Sequence, residues 1–212
     1  MPGVAGHLRA GGSLVILAIG SASAFGAGGR HPALGFPSRM LVALRRAVPG
    51  AETSLLIKDG RGLTAAEMLP VLRRSLRGGK IGLVIWQTGT VEAVENSPPE
   101  DFLAALADGV SIVLHAGAEL ILVEPAFSRF LSTDTNIDAY QRAFREAAIE
   151  PGVVLFPRFE LTRYWVDEGS FDLEAAPASA VAALARARES CIGQALARFV
   201  LSGAGVAAPS PR

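Results

Sequence analysis

Five short aliphatic runs, at residues 14–19, 54–57, 81–86, 120–123 and 153–156, alternate along the chain with longer stretches of helical period. The helical stretches cover 36–48, 64–77, 99–116, 136–150 and 178–201, each with apolar residues three or four positions apart. The aliphatic runs are continuous rather than every-other-residue apolar, so each strand must be covered on both faces. Strands of that kind joined by helices predict a three-layer α/β/α sandwich on a mainly parallel five-stranded sheet, with right-handed crossovers. The boundaries agree: Pro49-Gly50 and Pro151-Gly152 stop helices, and Thr64 with Glu67 three residues on forms a capping-box pattern. In such a sheet ligands meet the loops at the carboxyl ends of the strands.

The 212 residues suit a single domain, read here as 13–201, with Gly-, Ala- and Pro-rich stretches at 1–12 and 202–212 predicted to be flexible tails. Lys plus Arg and Asp plus Glu are balanced at 20 each, so no net field draws the chain to nucleic acid or an anionic membrane surface. Residues 158–165 mix arginines with aromatics, and the apolar residues of that segment read as packing beneath a site rather than as a nucleic-acid face. Cys191, the only cysteine, rules out a disulfide within the chain and falls in an apolar helical pattern, where it reads as a small core residue. Arg9, the first aliphatic run and Ala22-Ser23-Ala24 imitate a signal peptide. Removing that run would leave the alternation without its first strand, which favours a strand and a cytoplasmic protein over a periplasmic or secreted one. No apolar run reaches the roughly 18 residues of a membrane span.

Chemistry is expected in the loops. Residues 20–29, a small-residue turn, lack the Gly-x-x-x-x-Gly-Lys spacing of a phosphate loop. Gly60-Arg61-Gly62-Leu63-Thr64-Ala65 is a weak dinucleotide fingerprint, and the acid expected about 20 residues later is missing, since the next strand ends in Trp86-Gln87. No His, Cys and carboxylate set stands at metal-ligand spacing, and no cofactor is implied.

Taken together, the strand ends Gly20-Ser21-Ala22-Ser23, Gly60-x-Gly62, Trp86-Gln87-Thr88-Gly89-Thr90 and Val123-Glu124-Pro125, followed by Phe156-Pro157-Arg158-Phe159, resemble those of bacterial SGNH (GDSL-like) hydrolases over residues 13–201. The resemblance implies an esterase-type fold with serine nucleophile, oxyanion glycine, oxyanion asparagine and an Asp-x-x-His dyad. Residue by residue, Ala22 falls at the nucleophile, Gly62 or Leu63 at the oxyanion glycine and Val91 at the asparagine, with the dyad near Ala180 and Ala183, ahead of the last helix. Alanine and valine offer no nucleophile, donor or base.

These substitutions predict a catalytically degenerate member acting as a binding or interaction module, for a small saccharide or acyl ligand or a protein partner. Its pocket would be formed by Gly20, Ser21, Ser23, Gly62, Leu63, Gly89, Thr90, Glu92 and Glu124. The alternative is an active ester or O-acyl (acetyl) hydrolase with relocated groups, using Ser21 or Ser23 as nucleophile and Glu92, Glu124 or His31 as base. The other histidines, His7 and His115, are placed away from the site. A nucleotide-binding oxidoreductase would need the Gly60–Gly62 loop open, with Leu63 turned away.

Overall fold

The computed structural model describes residues 1–9, 11–21 and 31–206. Five strands, β1 (Ser13–Gly20), β2 (Glu52–Asp59), β3 (Ile81–Gln87), β4 (Glu119–Val123) and β5 (Val153–Phe156), pair in parallel in the order β2-β1-β3-β4-β5. The helices are α1 (Pro2–Arg9), α2 (Phe36–Ala47), α3 (Ala65–Leu76), α4 (Thr90–Glu95), α5 (Pro99–His115), α6 (Arg129–Asp134), α7 (Ile137–Ala147), α8 (Arg158–Asp167) and α9 (Ala178–Gly203). The α/β fold class predicted from the alternation is the one observed, and each aliphatic run is a strand.

The period of two along each strand sorts its side chains into two cores. Leu17 and Ile19 of β1, Val84 and Trp86 of β3, and Leu120 and Leu122 of β4 face α3, α5 and α7. Leu14, Ile16 and Ala18, Leu83 and Ile85, and Ile121 and Val123 face the opposite way, against α1, α2 and α9. Helix α5 lies close against β3 because of Gly109, where a Cβ would come within 2.1 Å of the Trp86 ring.

Three differences from the sequence reading have local causes. Residues 1–12, expected to be a tail, contain α1, whose Val4 and Leu8 sit one turn apart and are buried in the α2–α9 core. Glu119 at the foot of β4 fixes that helix by accepting a hydrogen bond from the Val4 N–H at 2.8 Å. Helices α4, α6 and α8 were not foreseen, since six to ten residues are too few to show a clear period. Cys191 lies on α9 but is only half-buried. Among the described residues no helix is long and apolar enough to cross a membrane.

Candidate active site

Strand β1 lies between β2 and β3, so the chain leaves it toward one edge of the sheet and returns on the other side. In open α/β sheets such a switch point, here at the carboxyl ends of β1 and β3, is where ligands bind. Gly20 closes β1 there, and a Cβ at that position would lie 2.8 Å from Cβ of Gln87, so the two strand ends can meet only through a glycine. Across this contact Gln87 donates its side-chain N–H to Ser21 Oγ at 2.5 Å. Gln87 was not singled out in the sequence, although a lone amide ending an otherwise apolar strand is a readable signal.

After β3 the chain turns at Gly89, whose φ of 89° is left-handed and whose Cβ would strike the Phe144 ring at 2.9 Å. Thr90 opens α4, and both it and Val91 are half-buried. Glu92 was expected to line the pocket but lies one turn into α4, 3% exposed, with its Oε1 accepting from the Ala65 N–H at the start of α3. Burial raises its carboxyl above the ordinary range, and the Ala65 bond opposes that rise. Thr88 Oγ1 stands 3.5 Å from the same oxygen. Glu92 therefore joins two helices rather than facing an open pocket.

Glu124 follows β4, is 2% exposed, and accepts from the Phe159 N–H in the first turn of α8 at 3.2 Å. Burial pushes its carboxyl up to about 7, partly offset by that N–H, with Glu160 adding to the rise and Arg145 opposing it. Both carboxylates thus accept from helix N–H groups. In the β2–α3 loop Gly62 is exposed with φ of 71°, Leu63 packs on the core, and Arg61 folds back onto Asp59 at 2.6 Å.

Ala22 and Ser23 lie outside the described residues. Ser21 is described, and among the described residues no hydrogen bond joins it to His31, Glu92 or Glu124. His7 sits on α1 beside Gly82, at the opposite end of the sheet. His115 ends α5 and binds Ser111. His31 is exposed ahead of a short 3₁₀ turn at Pro32–Leu34 and makes no side-chain capping bond.

Ala180 and Ala183, the positions matched to the dyad, fall within the helix predicted over 178–201, and α9, which begins at Ala178, contains both as exposed residues. The segment just before α9 holds Asp172 and Glu174, both paired with Arg129, at 2.6 and 3.0 Å. Ala175 stands three residues after Asp172. The arginine and aromatic segment at 158–165 forms α8 and buries Arg158, Phe159 and Thr162.

Comparison with known proteins agrees with this architecture. The sequence matches the profile of the non-GDSL lipase-like family over residues 1–206. The fold is similar to that of TesA, at 21% identity over 90% of this chain and 99% of that one, with a TM-score of 0.69. Axe2, an acetylxylan esterase from Geobacillus stearothermophilus, is similar at 16% identity over 94% and 97% of the two chains, with a TM-score of 0.66. The esterase EstA from Pseudoalteromonas follows at 15% identity over 90% and 95%, with a TM-score of 0.60. No curated protein matches the sequence. With its parallel sheet, its switch point between β1 and β3 and a profile match over residues 1–206, the chain belongs to the non-GDSL lipase-like family of SGNH (GDSL-like) hydrolase proteins.

Proposed function

We propose that this chain is a non-hydrolytic member of its family, a module that binds a small saccharide or acyl ligand in the crevice at the strand ends. The observation that carries the reading is the hydrogen bond from Gln87 to Ser21. The described hydroxyl nearest the nucleophile position is held by a neutral amide, which cannot take its proton. Ala22 supplies no hydroxyl at that position and Val91 no oxyanion donor, while α9 runs helical through the dyad positions. Losing either member of a nucleophile–base pair lowers rate by several orders of magnitude, and here both are replaced.

The test combines a fluorophosphonate probe, p-nitrophenyl acetate and an acetylated xylo-oligosaccharide. The expected result is no labelled serine and no turnover above the buffer rate, with saturable heat of binding for the oligosaccharide. Labelling of one serine, or absence of binding, overturns the reading. The second reading, an ester or O-acyl hydrolase with relocated groups, is favoured by Glu124, a strand-end carboxyl whose affinity for a proton lies near neutrality as a general base requires. Single-serine labelling that is lost in Glu124→Gln would select it.

A further inference from the structure

The described residues contain seven buried side-chain nitrogen or oxygen atoms with no hydrogen-bond partner, and five of them fall in one corner of the fold. They are Arg39 Nε, Arg158 Nε and Nη2, Arg188 Nε and Glu189 Oε2. Several observations show that these groups converge where α2, α8 and α9 meet. Arg158 and Arg188 approach the same oxygen, Glu189 Oε1, at 3.7 and 3.2 Å. The Arg158 guanidinium lies 5.2 Å over the Phe36 ring on α2. Arg39, one turn after Phe36, packs so closely on α9 that a Cβ at Gly193 would come within 2.4 Å of its own Cβ.

The charges do not balance. Two guanidiniums, those of Arg158 and Arg188, meet one carboxylate, and the Arg158 and Glu189 side chains are 1% and 2% exposed. A guanidinium keeps its proton at neutral pH, and burial lowers that of Arg158 only to about 10. Isolated buried charge costs several kcal/mol, so buried cations are found paired and hydrogen-bonded. Glu189 accepts its hydrogen bond from Arg188, leaving Arg158 with a distant counter-ion and two unused donors.

We propose that this corner is an anion site that takes a compact carboxylate of acetate size, held by Arg158 and Arg188. The planar fork of a guanidinium matches a carboxylate through paired N–H donors. A cavity of about 170 Å³, lined by Arg188 together with Thr162 of α8 and Ser128, reaches the Arg188 edge of this corner. Asp172 and Glu174 also line that cavity, each paired with Arg129. A multiply charged oxyanion would be repelled by these acids and by Glu189, whereas a monocarboxylate offsets the surplus cation at less cost. The site lies outside the β1–β3 switch point and does not depend on the function proposed for it.

The test is thermal unfolding of the full chain as sodium acetate replaces sodium chloride at constant ionic strength, with phosphate in a parallel series. Acetate is expected to raise Tm by about 2–4 °C through preferential binding to the folded state. Arg158→Met/Glu189→Met, which removes the buried pair together and so preserves folding, is expected to lose the acetate shift. Arg188→Met, at a partly exposed member, is expected to weaken it. A shift of equal size in wild type and the double variant, or no shift in wild type, overturns the site. A larger shift with phosphate overturns the carboxylate assignment.

Discussion

Two arginine clusters flank the same helix, α8, and they treat charge in opposite ways. On the outside, Arg129 is met by two acids, making bidentate bonds to Asp172 at 2.6 and 3.0 Å and a further one to Glu174 at 3.0 Å. On the inside, Arg158 and Arg188 share Glu189. The exposed cluster is well paired, yet water would solvate its members almost as well if they parted. The buried cluster is poorly paired where water cannot substitute, so its geometry carries far more energy per contact. Salt-bridge distance is therefore a poor guide to which cluster matters.

The largest effect is expected from Glu189→Ala. Removing the only carboxylate leaves Arg158 buried without a counter-ion, and urea unfolding should show a loss of about 3–5 kcal/mol. A loss no greater than that of an ordinary surface substitution would mean that the corner is already solvated, which erases the contrast.

Glu124, buried where α8 begins, gives the next effect. Its carboxyl has an ordinary value near 4.5 in the unfolded chain and about 7 in the fold, so the unfolded state ionises first as pH rises. The contribution to stability is then complete below about pH 4.5 and lost as pH climbs through 7, by about 3 kcal/mol in total. Glu124→Gln keeps an oxygen for the Phe159 N–H and should remove this part of the pH dependence. Parallel stability curves for the two proteins between pH 4 and 8 would show that the carboxyl is not desolvated.

Arg129→Ala should have the smallest effect. Despite the three short contacts its side chain makes to acids, its unfolding midpoint should stay close to that of wild type, with any difference disappearing at high salt. A large, salt-insensitive loss would show that Asp172 and Glu174 hold the segment before α9 in place, and would sharpen the comparison in the opposite sense.

Much of the fold was readable because its signals are local and repeated. The five aliphatic runs became five strands, the Thr64–Glu67 capping box formed with both its hydrogen bonds, and α5 ended at His115. The candidate site was readable only as a set of side chains in order. That Ser21 meets Gln87, 66 residues away, depends on β1 and β3 becoming neighbours. That Glu92 holds α3 rather than facing a ligand depends on the turn at Gly89. Arg158 gave no sign of full burial, because an arginine in a short helical stretch reads as a surface residue until its neighbours on α2 and α9 are known.

The sequence by itself determined the layers and the chemistry absent from the matched positions: the aliphatic runs require a covered parallel sheet, and Ala22 and Val91 lack reactive groups wherever they lie. Only the tertiary structure decided how the remaining polar groups are used. The ionisation and pairing of Glu92, Glu124, Arg158 and Glu189 are set by desolvation and by contacts between residues far apart in the chain, and neither exists until the helices have closed over the sheet.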